Sequence, residues 1–295
     1  MSRAELVRVT EVGPRDGLQN EDGVVSVADK VAFVNALIAA GFPEVEVTSF
    51  VSAARVPQLA DGADVMQRVQ RRAGTLLSVL VPNERGLAAA LEAKADKVSV
   101  FVSASEGFSQ KNVNASIDVC LQRLRPVVQQ ARAAGLPVRG YVSCVVRCPF
   151  DGAVQPSSVR RVSEQLLEMG CTEIDLGDTI GAAEPEHISC LLAAMQSLCE
   201  PALLTLHLHD TAGKAAACVE RALQCGLRSF DSSVGGLGGC PFAPGAPGNI
   251  ATETLLATLE RLGFRHGIDQ AAVAAAGGAM RETLKRVQRA SAGKS

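Results

Sequence analysis

The sequence predicts a single α/β domain, a (β/α)8 TIM barrel with an additional C-terminal helix, and three observations predict it. Eight short runs of β-branched and aromatic residues recur along the chain, and each is followed by a longer stretch whose apolar residues have helical spacing. The alternation continues through all 295 residues with no composition break, linker or internal repeat. Closed α/β barrels commonly reach about 250 residues or more as one domain. Polar residues also gather where the runs end, and a barrel builds its active site at the C-terminal ends of its strands. An open doubly wound sheet alternates strands and helices too, but eight units favour closure. Residues 1–295 are therefore expected to form one catalytic domain.

In chain order the expected strands are 7–12, 44–48, 76–81, 97–102, 138–146, 173–176, 203–209 and 229–234. Helices are expected at 26–40, 62–72, 83–94, 113–134, 157–169, 185–198, 212–225 and 251–262, with the additional one near 269–290. Ser26, Asn83 and Ser157 precede Ala- or Leu-rich segments as N-caps, while Gly41, Gly135, Gly170 and Gly226 stand where helices should stop.

Composition excludes several function classes. With 47% hydrophobic residues, a chain of this size buries roughly three quarters of its unfolded surface and needs no disulfide or metal to fold. Lys+Arg number 29 against 31 Asp+Glu, a net charge of -2 with no basic cluster, which excludes nucleic acid as a partner. No window approaches 18 consecutive apolar residues and no signal peptide opens the chain, so no membrane association is expected. Nine cysteines without a C-x-x-C pair fit a reducing cytoplasm.

The strand ends carry the chemistry. The first strand runs into Glu11-Val12-Gly13-Pro14-Arg15-Asp16-Gly17, the second carries Glu46, and the seventh ends in His207-Leu208-His209-Asp210. His207 and His209 are two apart on a strand, so both imidazoles project from one side, into the barrel mouth. They read either as a hydrogen-bonded pair closing the barrel or as ligands of a divalent cation. Asp16 at an equivalent height favours the cation, and two histidines with oxygen donors suit Mg, Mn or another catalytic ion. Arg15 reads as a salt-bridged turn or as a fixed cation aimed at developing negative charge. Glu46 either caps a helix, pairs with an arginine, or lies beside the metal and positions its ligands. After the eighth strand, residues 233–249 form a glycine-rich segment that reads as a connector, a phosphate cradle or a mobile lid. Cys240 is the one cysteine in it, placed to reach a bound substrate.

Six stretches, 13–21, 46–50, 140–144, 176–181, 207–211 and 236–249, together resemble the hydroxymethylglutaryl-CoA lyase family. The Arg15-Asp16-Gly17 and His207-x-His209 elements are shared across the wider metal-dependent barrel lyases and synthases, whereas the Cys240-containing loop is more specific to the lyase. The resemblance implies cleavage of 3-hydroxy-3-methylglutaryl-CoA to acetyl-CoA and acetoacetate with a divalent cation, Mg or Mn, in leucine degradation and ketone body metabolism. It makes Asp16, His207, His209 and Asn249 the metal ligands and places Glu46 beside them. Arg15 and Gln19 would contact substrate, Cys240 would take part in proton transfer, and Glu11 and Asp178 would be catalytic carboxylates. The base that takes the 3-hydroxyl proton stays open among Glu11, His207 and a metal-bound water. The chain departs from the family at Phe242, where Tyr is common, and at Asp22, where Lys is usual.

Three rival readings stand beside this one. The first is a lyase of the same mechanism for a longer, isohexenyl-type 3-hydroxyglutaryl-CoA; the second is a condensing synthase of the isopropylmalate type. The third is a non-catalytic acyl-CoA-binding barrel. An acyl-CoA is the expected small-molecule partner, a homodimer is a possible assembly, and the absence of an N-terminal extension or peroxisomal tripeptide fits a bacterial cytoplasmic enzyme.

Overall fold

A computed structural model describes residues 5–238 and 248–292. Its strands are β1 Arg8–Glu11, β2 Glu44–Ser49, β3 Leu76–Leu80, β4 Lys97–Ser103, β5 Val138–Ser143, β6 Arg147–Cys148, β7 Gly152–Ala153, β8 Glu173–Asp178, β9 Leu204–Leu208 and β10 Ser229–Ser232. Eight of them close a parallel barrel in the order β1-β2-β3-β4-β5-β8-β9-β10, and β10 returns to β1 through pairs such as Glu11 with Ser232. The short β6-β7 ribbon stands apart as an antiparallel hairpin. The helices are α1 Val27–Ala39, α2 Gly62–Arg68, α3 Glu84–Glu92, α4 Glu106–Val113, α5 Ile117–Ala133, α6 Pro156–Met169, α7 Pro185–Gln196, α8 Ala215–Gln224, α9 Thr252–Arg261 and α10 Gln270–Ala292. None of the helices is long and apolar enough to cross a membrane.

The closed barrel and the additional C-terminal helix agree with the sequence expectation, and local chemistry explains most of the boundaries. Ser26 and Asn83 accept the amides of Asp29 and Gly86 as N-caps of α1 and α3. Gly41, Gly135, Gly170 and Gly226 all have positive φ at helix ends, a backbone conformation that side chains with a Cβ resist. Three expectations need correction. The helix expected at 113–134 starts later, at Ile117 behind its Ser116 cap, and an unexpected helix, α4, precedes it and ends where Asn114 turns left-handed (φ 51°). Ser157 is not a cap: Pro156 occupies the first helical position and Gln155 stands before it. The strand expected to reach 146 stops at Ser143, where Cys144 adopts φ 62° and the chain leaves toward the β6-β7 hairpin.

Strand alternation sorts residues between the helices and the barrel lumen. One set, including Val9, Val45, Val79, Val98, Val142, Ile174 and Leu206, is fully or almost fully buried within the main apolar core. The alternate set points into the lumen and is polar. Arg139, with 0% of its surface exposed, lies within 3.4 Å of Glu44, Glu173, Asp175 and Asp231 and donates to Thr10 Oγ1 at 3.0 Å, so its contacts reach four other strands across the lumen. Lys97 pairs with Glu44 at 3.0 Å and with Glu173, and Arg8 reaches Glu173 at 2.8 Å. Barrel lumens are usually filled by Val, Ile and Leu. Here a charged layer fills this one beneath the mouth.

Candidate active site

The mouth begins where β1 ends. The amides of Arg15, Asp16 and Gly17 all donate to the Val12 carbonyl, at 3.1, 2.8 and 3.2 Å, and this winds Gly13–Gly17 into one π-helical turn. A wide turn of this kind directs two consecutive side chains, Arg15 and Asp16, into the site, and π-turns often mark functional positions. Gly17 is required by close approach: a Cβ there would lie 2.9 Å from Leu237 Cβ and 2.9 Å from Ser233 Oγ.

Asp16 is the hub. Its Oδ1 accepts from Gln19 at 2.9 Å and pairs with Arg15, while its Oδ2 accepts from Asn249 Nδ2 at 2.9 Å and faces His207 Nε2 at 3.9 Å. One ligand atom from each of Asp16, His207 and His209 lies within 4.8 Å of the others. Burial pushes the Asp16 carboxyl up, but Arg15, the two imidazoles and Asn249 outweigh it and hold the group at about 2. Burial, together with His207, pulls His209 down to about 4, so both groups are in their metal-binding forms at neutral pH. His209 Nδ1 and Asn249 Oδ1 are buried without a hydrogen-bond partner among the described residues. Unsatisfied buried donors and acceptors are costly. Two imidazoles, a carboxylate and an orphaned amide oxygen are a donor set that a divalent cation would complete.

Arg15 is held from both sides. Its Nε donates to Glu46 Oε2 at 2.6 Å, Asp16 pairs with it, and its Cζ lies 5.3 Å from the Tyr141 ring centroid. Burial lowers its proton affinity, but the neighbouring carboxylates raise it further, so the guanidinium remains charged. Tyr141 and Asp231, which the sequence did not single out, complete the support. Tyr141 Oη lies 3.2 Å from both Glu46 Oε2 and Asp231 Oδ2, and Asp231 Oδ2 lies 3.3 Å from His207 Nδ1. An acid on the far nitrogen of a ligating histidine fixes its tautomer and ring orientation. The signal for both was strand parity, since Tyr141 is two residues beyond Arg139 and Asp231 two beyond Ser229 on lumen-facing positions.

Arg15, Asp16, Gln19, His207 and His209 line one cavity of about 840 Å³. Glu46 lies against Arg15, and Asn249 reaches the cluster from the segment after β10. Glu11 and Asp178 do not line the cavity. Glu11 accepts the amides of Gly13 and Val234, each at 2.9 Å, and the Thr252 hydroxyl at 2.7 Å; burial carries its carboxyl up to about 8. Asp178 accepts the amides of Ala182 at 3.1 Å and Ala183 at 2.8 Å, and burial raises it too. Each follows a lumen-facing or cavity-lining residue, Thr10 and Gly177 respectively, and so points to the other side of its strand. Cys240 lies outside the described residues. Two residues before it, Gly238 sits at the site with φ +95°, where a Cβ would meet Gly17 Cα at 2.9 Å.

A sequence model of the family described as HMGL-like matches residues 6–279. Over 289 residues the chain is 47% identical to the hydroxymethylglutaryl-CoA lyase of Pseudomonas mevalonii, spanning 98% of this chain and 96% of that protein. The crystal structure of the HMG-CoA lyase from Brucella melitensis superposes with a TM-score of 0.94 at 48% identity, covering 96% of this chain and all of that one (100%). The structure of an HMG-CoA lyase from Acinetobacter baumannii in complex with coenzyme A and 3-methylmalate superposes with a TM-score of 0.91 at 35% identity, covering 97% and 93% of the two chains.

Proposed function

Since the chain belongs to the HMGL-like family, we propose that it is a hydroxymethylglutaryl-CoA lyase, a carbon-carbon lyase that cleaves 3-hydroxy-3-methylglutaryl-CoA to acetyl-CoA and acetoacetate. One observation carries the reading: the Asp16, His207 and His209 cluster shares a cavity wall with the charged Arg15. Asp16, His207, His209 and the orphaned Asn249 Oδ1 would hold the divalent cation, magnesium or manganese. When bound, the cation supplies Lewis-acid polarisation of the substrate's oxygen atoms.

The chain's own residues account for the rest of the reaction. Loss of the 3-hydroxyl proton lets the C2–C3 bond break, which leaves the ketone of acetoacetate and the enolate of acetyl-CoA. The base must line the cavity, which Glu11 and Asp178 do not, and His207, with Nδ1 on Asp231 and Nε2 turned to Asp16, serves as a ligand instead. Arg15 faces the thioester oxygen, where the enolate charge develops, and Glu46, Asp16 and Tyr141 fix its guanidinium before substrate arrives. Gln19 and Asp231 act as positioning residues, Gln19 through Asp16 and Asp231 through His207. We assign to the Cys240 thiol the return of a proton to C2 of the enolate, which completes acetyl-CoA. Glu11 and Asp178 hold the backbone of the segments that carry the site, Glu11 at Gly13 and Val234 and Asp178 at Ala182 and Ala183.

The test is acetoacetate release from 3-hydroxy-3-methylglutaryl-CoA by purified, EDTA-stripped protein with Mg or Mn added back. Metal-dependent release is the expected result. Silence in the presence of either ion, or release that survives stripping, overturns the reading.

A further inference from the structure

The large cavity has an ordered wall. At its floor lie Arg15 and His207, 6% and 8% exposed. Leu80, Pro82, Phe101, Phe108 and Val113 form an apolar part of the wall, and the exposed Arg55 and Asn112 stand at its lip. Two guanidinium groups line this wall, and their surroundings differ. Arg15 lies between two carboxylates, so its charge is matched within the protein. Arg55, in the connection between β2 and the short Pro57–Leu59 turn, donates only to the Asn112 carbonyl, at 3.3 Å, and no carboxylate among the described residues pairs with it. Most of its donors and all of its charge are left facing the cavity lip.

We infer that Arg55 clamps a phosphate group of the coenzyme A portion of the acyl thioester. The inference rests on the lyase reading, which puts the acyl end at the floor. A CoA thioester is a long ligand with three chemical zones: a reactive carbonyl, a largely uncharged pantetheine arm, and a strongly anionic pyrophosphate and 3′-phosphate. The wall carries a group for each zone: a buried cation at the floor, apolar side chains, and an unmatched guanidinium at the exposed lip. Guanidinium forks suit phosphate oxygens bidentately, and the bond to the Asn112 carbonyl orients the fork without neutralising it.

The experiment measures KM and kcat for the 3-hydroxy-3-methylglutaryl thioesters of CoA, dephospho-CoA and pantetheine, with wild-type protein and Arg55→Gln. A charge-assisted hydrogen bond of about 2 kcal/mol corresponds to a KM increase of roughly thirtyfold for the CoA thioester, with kcat held within about twofold. The wild-type preference for the CoA thioester over the pantetheine thioester should collapse in the variant. If the dephospho substrate suffers the same KM increase, Arg55 holds the pyrophosphate; if it escapes, Arg55 holds the 3′-phosphate. A CoA KM that does not move, or a rise shared equally by the pantetheine thioester, overturns the assignment. Failure of the wild type to turn over any of the three overturns the lyase reading instead. Calorimetric titration with CoA and pantetheine then decides on Arg55 by itself, because only CoA binding should weaken in the variant.

Discussion

Glu11 shows most directly how a single residue's role follows from its strand position. Thr10 reaches Arg139 in the lumen, so the next side chain must turn outward, and Glu11 meets Gly13, Val234 and Thr252 there. Its folded pKa of about 8 lies above the ordinary 4.5, chiefly through burial, so the protein holds the acid in its neutral form. A group raised on folding stabilises fully below its unfolded value and loses that contribution as pH rises through its folded value. The wild type should therefore lose stability relative to Glu11→Gln between about pH 4.5 and pH 8, with none of that slope in the variant. Gln preserves the acceptor for both amides and donates to Thr252, so Glu11→Gln should also keep most of its turnover. Glu11→Ala strands two buried amides and should cost roughly 2–4 kcal/mol in urea denaturation. Loss of turnover in Glu11→Gln with full stability would instead make Glu11 a proton-transfer group. The His207 and His209 pair was legible in sequence because the same alternation was applied to it. Tyr141, Asp231, Glu11 and Asp178 needed the rule applied to every strand.

At the scale of the element, the π-turn after β1 does what no single residue does. It closes on the Val12 carbonyl, places Arg15 and Asp16 side by side, and packs Gly17 against Leu237 and Gly238. It thereby brings the ends of β1 and β10, the first and last strands, together around Asp16 and Asn249. Gly17→Ala inserts a methyl group where Leu237 and Ser233 already stand at 2.9 Å, and should destabilise by about 1–3 kcal/mol. Because the turn carries Asp16, manganese affinity should fall with it; calorimetry showing wild-type affinity at wild-type stability would refute the dependence. The sequence Gly13-Pro14-Arg15-Asp16-Gly17 announces a turn, but its π geometry depends on the neighbouring β10 segment. The division between α4 and α5 was hidden for a related reason. Nothing in the local spacing marks Asn114 as left-handed, yet its backbone ends α4 and Ser116 caps α5.

For the molecule as a whole, the decisive feature is a lumen filled with charge. Arg8, Lys97 and Arg139 face Glu44, Glu173 and Asp231. Asp175 is pushed well up, first by burial and then by Asp231. The layer supports the mouth directly, since Arg139 and Asp231 meet Tyr141, and Asp231 meets His207. Arg139→Met removes the central cation and leaves buried carboxylates unpaired, a change expected to cost about 3–5 kcal/mol. Urea denaturation with an unchanged midpoint would show that the layer tolerates the loss. The sequence by itself determined the eightfold alternation, the closed barrel, the additional helix and the Asp16, His207 and His209 side chains that meet at the mouth, because periodicity and strand-end chemistry are local properties. Only the tertiary structure decided which side of each strand a carboxylate faces, which histidine nitrogen meets Asp231, and which guanidinium is left unmatched. Those depend on how separate strands and loops meet, as where Glu11 reaches Val234 and Asp231 reaches His207, which no local pattern contains.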